Sequence, residues 1–571
     1  MARRKKSTAA QKNPALHRSL RTTFGFDQLR PGQAEVIRSV MDGQDTLAVM
    51  PTGAGKSLCY QLPALHLEGT TIIVSPLISL MKDQVDKLQD RGLGALQVNS
   101  TLTARGEESA LEQIEQETSQ YVFTTPERLT NPEFLETLQG TTIDFVVIDE
   151  VHCISQWGHD FRPSYLALKP ALEALGNPPL LALTATATAE VIEDIKRQLG
   201  RSRMRVFDSG IYRSNLELRV EHLSGDPEKQ AELLRMLETI EGTGIIYTAT
   251  VKHVDQVTSF LAGQGFDVLG YHGRLAAKRR KESQERFMAG DLKAMVATNA
   301  FGMGIDKADI RFVIHYDLPG SLESYYQEAG RAGRDGEPAH CVLFYDPKDR
   351  RTQLFLLSGR YPTGPELDRV YAALGELQAH DPRFSAGQLQ QAAAPVAKTK
   401  TRVALTRLVE AGIVREERPG QYSLAKRQVA EGQLGQFIEE WKQRDARDRE
   451  KLERMESYAR TALCRWRVLR DYFAEDDEED ERCGVCDNCR KGLAERAERT
   501  KMTEKVEKAE RSEKEEEISF TLGDRVSLPR HGEGKVEEVE GDSVVVRFPD
   551  GRSRKFKREF ARPVRQSTQK R

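Results

Sequence analysis

The stretch Thr46-Leu-Ala-Val-Met50, running into Pro51-Thr-Gly-Ala-Gly-Lys-Ser57, sets the frame for the whole chain. A short apolar run with a β-branched start reads as a buried strand, and the glycine-bearing turn after it opens onto a helix. Glycines there let backbone N–H groups face phosphate oxygens at the helix start, Lys56 neutralises the β- and γ-phosphates, and Ser57 can hold Mg²⁺. The strict phosphate-loop pattern has a further glycine where Met50 stands, so the loop is the shorter form Thr52-Gly53-Ala54-Gly55-Lys56-Ser57.

Outward from this loop, Thr71–Ser75, Tyr121–Thr124, Phe145–Ile148 and Leu180–Leu183 read as further strands separated by helical stretches. That alternation predicts a parallel sheet buried on both faces. The strand Phe145-Val-Val-Ile148 ends in Asp149-Glu150-Val-His152. Residues at the C-terminal ends of parallel strands face the ligand crevice, so Asp149 can hold Mg²⁺ and Glu150 can orient and deprotonate an attacking water. A second series, at Gly244–Tyr247, Phe266–Leu269, Ala294–Ala297, Phe312–His315 and Cys341–Tyr345, predicts a second α/β domain, the two meeting near residue 210. It ends in Tyr325-Tyr-Gln-Glu-Ala-Gly-Arg-Ala-Gly-Arg-Asp-Gly336, where Arg331 and Arg334 are three apart and share a helix face. Paired arginines from a neighbouring domain are how a motor senses the γ-phosphate and stabilises its transition state.

The composition agrees with a multidomain protein. At 571 residues the chain is too long for one core, and its 85 Lys and Arg against 87 Asp and Glu leave a net charge of −2. No apolar block is long enough to span a membrane, which excludes a transmembrane protein as well as a histone-like or wholly disordered one. The opening Met-Ala-Arg-Arg-Lys-Lys runs into Ser7 and Thr8 with no apolar stretch, so a cytoplasmic, nucleoid-associated location is expected. Both ends are basic: residues 1–17 read as a disordered tail, and 552–571 carry nine basic residues against Glu559. Such ends attract a polyanion or simply stay solvated.

After Tyr345 the rhythm changes. Helices at Pro365–Gln378, Ser385–Ala392 and Lys398–Ala411, followed by a β-type segment over 413–424, suggest a winged helix over 353–427, with a plain three-helix module as the alternative. Lys398, Lys400, Arg402 and Arg407 would make the third helix the recognition element. Long charged helices over 428–473 lead to Cys464-x18-Cys483-x2-Cys486-x2-Cys489. Four thiolates suit tetrahedral Zn²⁺ and leave no open position for a catalytic water, so a structural site over 428–490 is expected. A charged linker over 491–517 precedes alternating short strands and tight turns from Phe520 to Val564, the pattern of an SH3-like barrel.

Taken in order, Phe24-Gly-Phe-Asp-Gln-Leu-Arg-Pro-Gly-Gln33, Thr52–Ser57, Ser75-Pro-Leu-Ile-Ser-Leu-Met-Lys-Asp-Gln84, Asp149–His152, Leu183-Thr-Ala-Thr-Ala-Thr188, Thr298–Asp306 and Gln327–Gly336 resemble the RecQ helicases of helicase superfamily two. The resemblance implies two tandem RecA-like domains over 18–209 and 210–352, hydrolysing ATP with Mg²⁺ between them. It implies that Gln33 and Arg30 recognise adenine with Phe26 stacking on it, and assigns Gln327 to the nucleotide. The segment most particular to that family is His152-Cys-Ile-Ser-Gln-Trp-Gly-His-Asp-Phe-Arg162. There Trp157 and Phe161 would stack single-stranded bases, Arg162 would reach a phosphate, and His152 would report DNA occupancy to Glu150. Expected partners are single-stranded DNA and duplex junctions in repair, recombination or replication, on a monomer of 3′ to 5′ polarity. Two features depart from the family pattern: the helical module precedes the zinc platform, and no further C-terminal helical domain follows. Gly523-Asp-Arg-Val-Ser-Leu-Pro-Arg-His-Gly-Glu-Gly534 instead resembles the Tudor-like barrel of UvrD/PcrA-type helicases, implying a duplex or RNA-polymerase contact; single-strand-binding protein is a further candidate partner. The phosphate loop and Asp149-Glu-Val-His152 are shared with RNA helicases, and a nucleotide-switched binding protein is the non-enzymatic alternative.

Overall fold

The apolar runs form two parallel sheets, each lying between layers of helices. A computed structural model describes residues 14–116, 118–155, 161–302, 305, 307–418, 420–425, 432–473, 482–497, 520–529, 531–541 and 543–564. The first sheet has seven strands: β1 Thr46–Val49, β2 Thr70–Val74, β3 Ala95–Val98, β4 Tyr121–Thr124, β5 Ile143–Ile148, β6 Leu180–Thr184 and β7 Arg205–Asp208. Their order is β3-β4-β2-β5-β6-β1-β7, every pair parallel. β1, β2, β4 and β6 are buried along their whole length, as runs such as Thr-Thr-Ile-Ile-Val require, since both faces are covered by helices. β3 and β7 are edge strands, and the mostly exposed β7 has no apolar run to announce it.

The second sheet contains β8 Leu216–His222, β9 Thr243–Tyr247, β10 Val268–Tyr271, β11 Ala294–Ala297, β12 Ile310–His315 and β13 Ala339–Tyr345 in the order β10-β11-β9-β12-β13-β8. All its pairs are parallel too. β8 alternates buried and half-buried residues, a period-two signal at the sheet edge that the sequence reading passes over.

Beyond Tyr345 come the helix Asp349–Ser358 and then a module with helices Gly364–His380, Ala386–Ala392 and Lys398–Glu410. Strands β14 Phe384–Ser385, β15 Val414–Arg418 and β16 Gln421–Leu424 pair antiparallel in the order β14-β16-β15. Helix, strand, helix, helix and a hairpin follow one another as in a winged helix. The 28-residue helix Gln433–Arg460 then returns along the module, burying Phe437 and Trp441 in its core. A separate C-terminal unit holds a five-stranded antiparallel sheet, β17 Arg525–Leu528, β18 Gly532–Glu540, β19 Ser543–Arg547, β20 Ser553–Lys557 and β21 Arg562–Pro563, around Val526, Val544 and Val546. Among the described residues no helix is long and apolar enough to cross a membrane.

Candidate active site

The C-terminal ends of β1 and β5 open into a cleft of about 550 Å³ between the two α/β domains. The phosphate loop lies where β1 hands over to the helix Leu58–Ala64, which begins directly after Ser57. Gly53 and Gly55 have φ of 86° and 80°, a region that side-chain-bearing residues rarely enter. A Cβ on Gly55 would meet Gln33 Nε2 at 2.6 Å, so a side chain there would also displace the Gln33 amide. Lys56 is half-buried and donates to Met50 O at 3.1 Å. Burial lowers its ammonium pKa, while Glu150 and Asp149 oppose the shift.

Asp149 lies just past β5. Burial, reinforced by Glu150, pushes its carboxyl up to about 7, against the pull of Lys56. Its neighbour Glu150 takes a left-handed backbone (φ 48°), a costly conformation for a residue with a side chain that places a carboxylate next to the Lys56 loop. Behind it His152, only 2% exposed, holds Nδ1 at 2.9 Å from Thr184 Oγ1 and 3.4 Å from Glu150 Oε2. Thr184 Oγ1 donates its one proton to Thr186 O at 3.0 Å, so it accepts from His152, which fixes the ring proton on Nδ1. His152 therefore faces Glu150 from inside the wall. Tyr165, whose hydroxyl donates to Asp149 O at 2.9 Å, anchors the same corner; a tyrosine 16 residues downstream gives no sequence signal of that contact.

The opposite wall comes from the second domain. Arg331, Arg334 and Gln327 line the cleft with Phe26, Arg30, Gln33, Thr52, Gly53, Gly55 and Ser57, so one cavity gathers nearly every nucleotide residue read from the sequence, with Ala54 lying behind its glycine neighbours. Arg331 is buried, donates through Nη1 to Gly302 O and keeps Nε without an acceptor among the described residues. Its guanidinium packs against Gly302 while the residue lines the cleft, the kind of planar cation that suits a phosphate oxygen. Arg334 lies over the phosphate loop: a Cβ on Gly53 would touch its Cγ at 3.2 Å. Both Gln33 Nε2 protons go to the carbonyls of Ala54 and Gly55 at 3.0 Å, and Oε1 accepts from Arg30 N at 2.8 Å, so Gln33 here ties its own segment to the phosphate loop.

Arg213, in the segment joining the domains, escapes sequence reading because a lone arginine in a linker reads as solvated. It donates to Thr52 O at 3.3 Å on one side and to Gly330 O at 2.8 Å and Ala332 O at 2.9 Å on the other. One guanidinium thus bridges the phosphate loop and the arginine segment.

Of the residues expected at DNA, Trp157 lies outside the described ones. Arg162 lines the cleft and donates to Pro76 O at 3.4 Å. Phe161 is half-buried, and the Arg444 guanidinium of the long helix lies 5.2 Å from its ring centroid. In the helical module, Lys400 pairs with Glu366 at 2.9 Å and Arg407 with Glu440 at 2.9 Å while stacking on Phe437. Half of the expected recognition charges are therefore spent inside the module.

Cys464, Cys483, Cys486 and Cys489 meet with all four sulfur atoms within 4.8 Å of one another. Zinc–sulfur bonds of about 2.3 Å put tetrahedral sulfurs about 3.8 Å apart, and Cys483 Sγ and Cys489 Sγ are 3.9 Å apart. The donor set fits a structural Zn²⁺. Next to it the buried Arg465 pairs with Asp487 at 3.0 Å, and Asp487 also accepts from Val220 N of β8 at 3.1 Å, fastening the cysteine platform to the second sheet.

Residues 30–195 match the DEAD/DEAH box helicase family, 228–336 the helicase conserved C-terminal domain and 426–490 the RecQ zinc-binding family. ATP-dependent DNA helicase RecQ of Bacillus subtilis is 47% identical over 60% of this chain and 58% of its own length. The "Probable ATP-dependent DNA helicase RecS" of the same organism is 40% identical over 64% of this chain and 74% of its own length. The chain spans only about half of other relatives, such as the 53% covered of Haemophilus influenzae RecQ. Among solved structures, Mycobacterium smegmatis helicase Lhr, bound to single-stranded DNA and AMP-PNP, superposes with a TM-score of 0.50 at 21% identity, covering 73% of this chain and 61% of Lhr. That likeness shows the paired-sheet fold. With helicase family models matching both α/β domains, the four-cysteine platform matching the RecQ zinc-binding family, and a 40% identical relative covered over 74% of its length, the chain belongs to the RecQ family of helicases.

Proposed function

We propose that the protein is an ATP-driven DNA helicase that moves along single-stranded DNA in the 3′ to 5′ direction and separates duplexes during repair, recombination or replication. The observation that carries the reading is one cleft, walled by Lys56, Ser57, Asp149 and Glu150 from one domain and by Arg331 and Arg334 from the other. A site split between two bodies closes over its nucleotide and relaxes after hydrolysis, which converts turnover into relative motion. Bound Mg²⁺ supplies charge neutralisation of the phosphates, with Ser57 and Asp149 to hold it. Glu150 orients and deprotonates the attacking water, Lys56 and the two arginines stabilise the charge that develops on the γ-phosphoryl group, and Gln327 lies beside the nucleotide. Phe26, Arg30 and Gln33 receive the adenine, which requires the Gln33 amide to exchange its loop carbonyls for the base edge. Trp157 and Phe161 stack the translocated strand, and Zn²⁺ on the four cysteines holds the accessory platform rigid. The C-terminal sheet acts as a Tudor-like contact for duplex or for a protein such as RNA polymerase, and the protein works as a cytoplasmic monomer at the nucleoid.

The test is steady-state ATP hydrolysis with no polymer, with single-stranded DNA and with single-stranded RNA, using Glu150→Gln as the blank. Stimulation by DNA alone is the expected result. Equal stimulation by RNA would point to an RNA helicase, and turnover no higher than the blank would mean a binding protein instead of a motor.

A further inference from the structure

We infer that the helix Asp349–Ser358 and the first turn of the helix Lys398–Glu410 form a second contact for single-stranded DNA, built around Phe355 and outside the cleft. The inference rests on the DNA-helicase reading. Isolated exposed apolar side chains are ordinary on proteins, and a Phe alone would carry no argument. Phe355, however, is 77% exposed, and the adjacent Leu356 is 45% exposed. On the same helix, Arg350 faces inward and pairs with Glu453 at 3.5 Å and Glu456 at 3.3 Å on the long helix. Arg351 lies one turn before Phe355 on the outward face, is exposed, and has no ion pair among the described residues. Thr399 Oγ1 donates to Gly359 O at 3.4 Å, which brings the start of the helix Lys398–Glu410 against the end of this one. That start carries Lys398 and, one turn on, Arg402, both exposed and without an ion pair among the described residues. Lys400 and Arg407, pointing elsewhere, are consumed by Glu366 and Glu440. The helical module thus sorts its cations, leaving Lys398 and Arg402, on the helix whose Thr399 reaches the end of the Phe355 helix, available to an anion.

An exposed aromatic face with unpaired cations around it suits a strand whose bases are free to stack and whose phosphates neutralise the cations. Duplex DNA offers the phosphates but no free base face, so the occupant is a single strand. Arg351, Lys398 and Arg402 take phosphates, and Phe355 takes one base.

The test is equilibrium binding of a fluorescein-labelled oligothymidylate to the full chain, read by anisotropy over a range of salt concentrations. Phe355→Ala should weaken binding roughly 5- to 100-fold and Phe355→Trp should retain it. Arg351→Gln and Lys398→Gln should each lower the salt slope by about 0.7. ATP turnover without DNA should be unchanged in all of them, which certifies the fold. Wild-type affinity in Phe355→Ala would overturn the proposal, as would full recovery in Phe355→Leu, which would mark an apolar protein contact, or a loss seen only with blunt duplex. If the wild-type chain itself fails to bind the oligothymidylate, the helicase reading falls and this site with it; if it binds and the variants bind equally, only this site falls.

Discussion

Once the edge strand β7 is set aside, and the strands of each sheet are counted from its own first, the two parallel sheets have the same order, yet only one of them carries a phosphate loop. β1 corresponds to β8 and β5 to β12. After β1 comes the glycine turn with Lys56, which donates to a single backbone carbonyl and looks across at Asp149 and Glu150. After β8 comes the helix Gly225–Thr239, whose Lys229 is more deeply buried and fully matched: 3.5 Å from Asp317 beyond β12, 2.9 Å from Asp349, and 2.8 Å from Tyr316 O. In the proposed reading the half-buried lysine of the first domain takes its anion from outside; in the second the chain supplies its own carboxylates. One topology thus yields a binding site or a brace according to who neutralises the lysine.

The sharpest way to break this contrast is to remove each lysine. Lys56→Ala should cut ATP turnover by about 100- to 1000-fold with little change in melting temperature; a large fall in melting temperature would make Lys56 a brace as well. Lys229→Met should do the reverse, leaving Asp349 and Asp317 without the ammonium they share at a cost of about 3 kcal/mol in denaturant unfolding, with the KM for ATP unchanged. A raised KM would mean that the second domain also feels the nucleotide. Smaller is Arg213→Lys, which keeps the charge but loses the fork that reaches both domains: kcat should fall about fivefold at constant KM, measured under saturating DNA. Equal values for both enzymes would reduce Arg213 to a spacer.

The smallest effect concerns pH. His253 Nδ1 lies 2.7 Å from Asp317 Oδ2, and this hydrogen bond raises the imidazole pKa, against burial, with Asp226 adding to the shift and Lys229 opposing it. A histidine with a raised folded-state pKa stabilises below its unfolded value and loses that contribution as pH rises through the folded one. His253→Asn should therefore flatten the decline in stability between pH 6 and 8 by about 0.5 kcal/mol, read from urea midpoints across that range. An unchanged slope would show that the second brace does not depend on His253.

Legibility in the sequence followed how local each signal was. The phosphate loop, Asp149-Glu150, the arginine pair and the four cysteines depend on spacing within short segments, and all of them come together in space. Strands with apolar runs, such as Thr70–Val74, were readable, whereas Ala95–Val98 is interrupted by the half-buried Gln97 and Arg205–Asp208 is too exposed to stand out. The fate of Lys400 and Arg407 was not legible, because their partners Glu366 and Glu440 lie more than thirty residues away. Arg213 and Lys229 were silent for the same reason: each looks like an ordinary surface cation until the fold brings up its acceptors.

The 28-residue helix Gln433–Arg460 is about 42 Å long and touches both α/β domains. Its later half is tied to the second, through Lys451 to Glu323 at 3.0 Å and Glu456 to Tyr345 at 3.0 Å, while Arg444 reaches Phe161 of the first. In the proposed cycle of closure and relaxation, a hinge motion between the domains would change the Arg444–Phe161 contact while the Lys451 and Glu456 contacts keep the later half of the helix with the second domain.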